Sequence, residues 1–389
     1  MPTSLRAKGA ANVFTIAASL PFAETLARGM RARLGSDPLA LADAVIYVPT
    51  RRATRTLSDV FAAQAGGAAL LPEIRPLGDV DEEEFLFDPA LEALDLPPAI
   101  SPIRRRLLLA MLVRGFHKGA QGESLTTAQA AGFAKSLAAF FDEVETHDGN
   151  LSNLKDLDEG EYADHWRSVR EFLSILETHW PKQLAAEGCE DPAARRNVAL
   201  KLLAARLQRE QSSRPVIAAG STGSIPATAA LLGVIARLPN GAVVLPGLDR
   251  DLDERSWNEL NEGHPQYGLR QLLGRIGVAR EDVRDWVDEA PANPARELLL
   301  REILRPAPTT DAWRAIADGK REGTIAAGLQ GLRIVEAASP REEALTIALI
   351  LREALETPDQ TSALVTPDRN LARRVAAELE GSGVMKQLD

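Results

Sequence analysis

Two strand–helix units follow one another at the start of the chain, and this order restricts the fold more than any other feature. Val13 to Ala18 is apolar and leads into Phe22, Leu26, Met30 and Leu34, which recur near three- and four-residue spacing. Ala44 to Val48 is a second β-branched and aromatic run, closed by Pro49 and Thr50 and followed by the helix face of Leu57, Val60 and Phe61. A chain that returns through a helix re-enters its sheet in the same direction, so the two units predict a parallel sheet.

The pattern changes after Leu77. An acidic run, Asp79, Asp81, Glu82, Glu83 and Glu84, precedes the proline-rich stretch Leu96 to Pro102, which places a boundary near residue 98. From Ser101 to about Gln208 the periodicity is helical, with Leu107, Met111, Phe133, Leu137, Phe140, Trp166, Phe172, Leu176 and Trp180 as apolar positions. Pro215 to Ala219 reads as a buried strand, Gly220 to Ser224 as a loop, Pro226 to Arg237 as a helix and Ala242 to Leu245 as a strand. The polar, helical stretch from Asp249 to about Arg321 carries Trp257, Trp286 and Trp313 as packing anchors and is expected to bridge two larger bodies. Strands at Leu332 to Ala337 and Ser362 to Thr366 are expected to alternate with helices at Pro340 to Leu355 and Pro367 to Leu379. Two strands cannot make a sheet with both faces covered, so the last domain is expected to be cut short after Asp389. The predicted domains are 1–98 and 213–325 forming one α/β lobe, 99–212 as a helical insertion, and 326–389 as the start of a second lobe. "VIYVPTRRATRTL" from Val45 and "ALVTPDRNLARRV" from Ala363 are weakly alike, and chance similarity of two strand–helix turns explains this as well as a repeat does.

The composition excludes several classes. At 389 residues, with 45% hydrophobic and 26% charged residues, the chain has the make-up of a globular protein of two or three domains. Its apolar runs stop short of the roughly 18 residues that cross a bilayer, and Val13 to Leu20 reads as a strand rather than a signal sequence, so a cytoplasmic protein is expected. A net charge of −10 argues against a surface coated for nucleic acid while leaving room for a narrow basic channel. The single Cys189 rules out an internal disulfide or a cysteine-rich metal site from this chain alone. His117, His147, His165, His179 and His264 have no metal-ligand spacing, and no metal or cofactor is expected.

A P-loop would belong after the first strand, where glycine amides and a lysine cradle phosphates. The stretch "FTIAASLPFAETLARG" has neither glycine nor lysine between Phe14 and Arg28, and "AAGSTGS" ends the later strand without magnesium-binding acids. No nucleophile elbow or hydrolase triad is present, so no catalytic residue is assigned. Gly220 to Ser224 can present Ser221, Thr222, Gly223 and Ser224 to an anion at a helix start, or Ser224 can simply cap the helix while the glycines turn the chain. Thr50 can cap the next helix while Arg51, Arg52 and Arg55 reach a nucleic-acid backbone; a solvated face, or pairing with the acidic run at 79–84, is the alternative. Arg104, Arg105 and Arg106 read as surface and helix-pairing residues. Ser339-Pro340-Arg341-Glu342 reads as a capping box, with Arg341 open to a second role.

The stretches "VPTRRATRTL", "LLPEIRPLGDVDEEEF", "LPPAISPIRRRLLLA", "YADHWRSVREFL", "VIAAGSTGSIPATAALL", "GAVVLPGLDRDLDE", "HPQYGLRQLL" and "PREEALTIALILREALETPDQTSALVTPDRNLARRVAAEL" together resemble the N-terminal part of the AddB family. These are the double-strand break repair subunits of AddAB helicase–nucleases of the alphaproteobacterial type. The resemblance implies a RecA-like (P-loop NTPase-like) lobe with a helical insertion, then the start of a second RecA-like lobe. It implies that Thr50 to Arg55 stands at a DNA-contacting motif and that an AddA-type ATP-driven subunit is the partner in a heterodimer. The iron–sulfur cluster and nuclease of the family belong to a C-terminal part that "GSGVMKQLD" does not continue. The expectation is a helicase-like, non-motor subunit that binds double-stranded DNA ends or single-stranded DNA. Its candidate contacts are Thr50, Arg51, Arg52, Arg55, Ser221, Thr222, Gly223, Ser224, Arg341 and Arg369. A helicase with a cryptic nucleotide site, or a scaffold for protein contacts only, are the competing expectations.

Overall fold

Apolar runs become strands here where neighbouring strands can pair with them. The computed structural model describes residues 11–35, 38–65, 70–77, 96–121, 125–149, 163–211, 213–314, 322–358 and 360–381. The acidic run at 79–84, the side chain of Trp166 and the terminal residues 382–389 lie outside the described residues. Among the described residues a six-stranded sheet forms from β1 (Val13–Ile16), β2 (Val45–Val48), β3 (Glu73–Pro76), β4 (Val216–Ala219), β5 (Gly241–Pro246) and β6 (Arg284–Asp285). Its order is β3-β2-β4-β5-β1-β6, and every pairing is parallel. The α/β class with a parallel sheet is therefore as expected.

Both faces of the sheet are covered, which is why its central strands are apolar at nearly every position, the buried Thr15 of β1 apart. Phe14, Ile16, Ile46, Val48, Ile217 and Val244 face one layer, made by Leu26 and Met30 of α1 (Phe22–Leu34) and Leu57 and Phe61 of α3 (Arg51–Gln64). A short α2 (Pro38–Ala42) leads into β2. Val13, Val45, Tyr47, Val216, Val243 and Leu245 face the other layer.

Between β3 and β4 the described residues form four helices, α4 (Pro102–Gln121), α5 (Thr127–Thr146), α6 (Ala163–Glu187) and α7 (Pro192–Glu210). The expected apolar face of α4 is shifted by one residue. Leu107 and Met111 are exposed, and Leu108, Leu109 and Val113 enter the core with Phe141 and Trp180. Arg105 fixes this rotation, since it shares a face with Leu108, Leu109 and Val113 and is only 5% exposed. Of the expected surface and helix-pairing residues Arg104 to Arg106, Arg105 pairs helices but is buried: its Nε lies 2.6 Å from the buried Asp191 carboxylate and its Nη1 lies 2.8 Å from Asp142. Trp180 donates its indole N–H to Asp191 at 2.5 Å. Burial drives the Asp191 pKa upward against the attraction of Arg105. Arg104 instead makes an exposed pair with Glu187. Leu200, Leu203 and Ala204 of α7 leave this cluster and join the sheet core beside α8 (Pro226–Ile235) and α10 (Tyr267–Ile276), so α7 links the helical region to the sheet.

The stretch from Asp249 to about Arg321 falls within the first compact unit, Met1–Gly328. It holds α9 (Glu254–Asn258), α10, β6 and α11 (Pro294–Ile303), followed by α12 (Glu322–Leu329). Trp286, 1% exposed, is inserted beneath α1, where it donates to the Leu26 carbonyl at 3.1 Å and packs edge-on to Phe14. Gly29 makes room for it; a Cβ there would stand 2.2 Å from the indole nitrogen. Trp257 is buried in the opposite layer, whereas Trp313 is 44% exposed.

The second unit, Leu329–Asp389, has a small core between α13 (Pro340–Ala354) and α14 (Arg369–Gly381), where Ala344, Ala348 and Val375 meet. Neither expected strand forms. Residues 332–337 and 361–366 run without a ladder partner among the described residues, and Ile334 and Val365 are both 93% exposed. Strand-forming residues alone do not make a strand; the backbone needs a second chain segment to pair with. The helix expected from Pro367 begins at Arg369. At α13, Ser339 accepts from the Glu342 amide as expected, but the Glu342 carboxylate accepts from Ala338 rather than Ser339, so the box is incomplete.

Candidate nucleic-acid interface

In a parallel sheet the loops leaving the carboxyl ends of the strands share one edge, and in open α/β sheets this edge is where ligands bind. Strands β2 and β4 are neighbours. Their pairing brings Pro49 beside Gly220, although 170 or so residues separate them in sequence. Gly220 (φ +76°) is pressed against both adjoining elements; a Cβ there would lie 3.4 Å from the Phe22 ring and 3.7 Å from Cδ of Pro49. Gly223 (φ +58°) is packed onto Leu272 of α10, 2.5 Å from where its Cβ would be. Glycine is required at both turns by conformation, and at Gly223 also by space.

Thr50 caps α3, its hydroxyl accepting from the Ala53 amide at 3.1 Å. That cap sets the direction of the first turn, from which Arg52 and Arg55, three residues apart, project from the exposed surface. Neither forms an ion pair among the described residues. Arg51 is half-buried at the same helix start.

The alternative in which Ser224 caps the following helix is not what forms. Ile225 occupies the cap position of α8 with no side-chain bond, and Pro226 is the first helical residue. Ser221 turns inward and accepts from the Gly223 amide at 3.2 Å. Thr222 and Ser224 are exposed. From beneath, Arg275 donates to the carbonyls of Gly223 (3.4 Å) and Ser224 (3.2 Å). The carbonyls are thus held inward, and the amides of Ser221, Thr222 and Ser224 donate to no protein group among the described residues. This loop can offer N–H donors to an anion, on the same sheet edge as the turn that leads into α3.

The position of a P-loop is differently made. After β1, Ala18 packs against Gly247, and Ser19 donates to the Glu297 carboxylate at 2.6 Å while accepting from the Ala292 amide. Pro21 flanks α1 without a side-chain cap. The nearest helix cations are occupied: Arg28 pairs with Glu289, and Arg31 donates to the Phe61 and Gln64 carbonyls. A carboxylate stands at this turn, the reverse of the charge a triphosphate needs.

Beyond β5 lies a network that the sequence reading missed. Arg301 bridges Asp249 (2.7 Å) and Asp251 (3.1 Å), and Arg305 joins Glu302 and Asp253. Burial works against ionisation of Asp253, but the Ser256 amide, Arg305 and the Ser256 hydroxyl overcome it and hold the carboxyl at about 2. The four-residue spacing of Arg301 and Arg305 opposite the acids of "GLDRDLDE" is the signal in the sequence. The carboxyl edge is therefore basic at β2, rich in backbone donors at β4, and internally neutralised at β5.

Arg341 and Arg369 are exposed near the starts of α13 and α14, in the second unit. Among the described residues no group of three His, Cys, Asp or Glu side chains could hold a metal ion, and no helix is long and apolar enough to cross a membrane. Cys189 is half-buried and donates weakly to the Glu187 carbonyl. No protein-family model matches the chain, and no curated protein matches it.

Proposed function

We propose that the protein is a helicase-like, non-motor subunit of an AddAB-type DNA-repair assembly, gripping DNA ends or single strands with the carboxyl edge of a RecA-like lobe. The observation that carries this reading is the pairing of β2 with β4, which sets the turn leading into the arginine-bearing start of α3 beside the amide-bearing loop Gly220 to Ser224. Arginine forks and backbone amides are the groups that hold phosphodiester oxygens. The strand order supports a RecA-like assignment over a dinucleotide-binding one. In the latter β1 and β2 are neighbours, whereas here β4 and β5 stand between them. The carboxylate-bearing turn after β1 favours a lobe without its own ATP site, and hence a separate ATP-driven, AddA-type partner. Domains 1–98 with 213–325, the insertion 99–212 and the second lobe from 326 follow from the same reading.

Binding of the full chain to forked and blunt-ended DNA, followed across a salt series, tests it. The wild-type affinity is expected to fall steeply with salt. Replacing Arg51, Arg52 and Arg55 together with alanine is expected to weaken binding and reduce the slope of log K against log salt by about two to three. An unchanged slope would overturn the assigned surface. ATP turnover by the isolated chain would favour the helicase with a cryptic site, and capture of a motor subunit without any DNA contribution would favour the scaffold.

A further inference from the structure

We propose a second anion site, specific for a phosphate group, between Arg33 and Arg284 at the amino-terminal edge of the sheet. Helix α1 runs back from the carboxyl edge, so its last turn, with Arg33, arrives at the opposite edge from Thr50 and Gly220. Strand β6 pairs with β1 in the register Phe14↔Arg284, which sets Arg284 beside the same ring. The Arg33 guanidinium carbon lies 3.7 Å from the Trp286 ring centroid and 5.0 Å from that of Phe14; the Arg284 guanidinium carbon lies 4.4 Å from Phe14.

Two like charges thus share one aromatic surface. Stacking uses the faces of the guanidiniums and leaves their edges, where the N–H donors lie, available. Arg33 spends one donor on the Gly29 carbonyl (3.0 Å), and Arg284 spends one on the Asn12 side-chain oxygen (3.0 Å). No carboxylate pairs with either among the described residues, and the nearby acids are engaged elsewhere: Asp285 with Arg250 and Glu289 with Arg28. Burial and the positive charge of Arg284 lower the Arg33 pKa to about 10. The rings fix both forks in place before any ligand arrives, and an anion between them removes the repulsion. A planar carboxylate satisfies one fork, whereas the tetrahedral oxygens of phosphate can accept from two forks in different planes.

Calorimetric titration of the full chain with inorganic phosphate, at constant ionic strength against chloride, tests the site. Wild type is expected to bind with Kd of about 1 mM or tighter. Arg284 is exposed on a two-residue edge strand, so Arg284→Gln is expected to fold normally, shown by an unchanged melting temperature in chloride, and to lose phosphate binding by tenfold or more. Arg284→Lys keeps the charge without the fork and is expected to lose several-fold. The site is overturned if wild type binds no phosphate, or if Arg284→Gln binds it as tightly as wild type. It is equally overturned if replacing Arg51, Arg52 and Arg55 with alanine abolishes the titration, since the ion would then sit at the other edge. A single-stranded oligonucleotide without terminal phosphate identifies the source. Competition with inorganic phosphate assigns the site to a nucleic-acid backbone, and lack of competition assigns it to free phosphate or a small phosphorylated molecule.

Discussion

The two stretches most alike in sequence, 45–57 and 363–375, reach different ends. In the first, Val45–Val48 is a strand held between β3 and β4, fully buried, and Thr50 caps the arginine-bearing helix that follows. In the second, residues 363–366 have no ladder partner among the described residues and Val365 is open to solvent, yet an arginine-bearing helix still follows from Arg369, with Asp368 accepting from the Asn370 amide. The turn and helix are local structures and follow from local residues; the strand exists only where other strands receive it. The likeness between the stretches thus extends to what each can build alone.

Hydrogen exchange gives the largest contrast. The amides of Ile46 and Ile217, inside the ladder, are expected to open only with global unfolding, a free energy on the order of 5–15 kcal/mol, while those of Ile334, Val335 and Val365 exchange near unprotected rates. Protection at Val365 would show that the second unit's extended segments do pair. Next in size, Trp286→Ala is expected to cost about 3–5 kcal/mol in urea denaturation of the first unit. Gly29→Ala attacks the same contact from the other side and is expected to cost about 1–3 kcal/mol, because the added methyl meets the buried indole.

A smaller effect separates the units by pH. The Asp253 carboxyl titrates lower in the folded chain than in the unfolded one, so the unfolded state takes up its proton first and stability falls as pH drops from about 4 toward 2. Asp253→Asn is expected to flatten that part of the first unit's acid-unfolding curve. At the small end, Val365→Ala is expected to change stability by no more than about 0.5 kcal/mol; a cost near that of a core valine would mean the side chain is covered.

The sequence showed β1, β2, β4 and β5 because each is buried on both faces and so apolar apart from Thr15. It hid β3 and β6, which are edge strands with no need of an apolar run: "EIRP" is half-exposed, and the pair Arg284–Asp285 is exposed. Trp286 looked like a linker anchor because nothing near it in sequence announces Gly29, its partner on α1. At the candidate interface, the arginines and the glycine loop were each visible as strand-to-helix turns. Their meeting was not, since it depends on β4 pairing with β2 after the whole helical region has intervened. The buried Arg105 was invisible for a related reason: an arginine triplet reads as surface until Asp142 and Asp191 arrive from two other helix regions.

The strand order also sets a timetable. Of the six strands of the described sheet β1 is made before the others and stands last but one, and its neighbours are β5 and β6, with Val13 opposite Val243 and Phe14 opposite Arg284. At ~5–20 residues per second, β1 leaves the ribosome roughly ten to fifty seconds before β5 is made. Through that interval Val13, Phe14 and Ile16 have no strand to lie against, and β2, β3 and β4 can assemble without them. The nascent chain must keep β1 in waiting until those partners are made, which leaves its apolar side chains uncovered for that time.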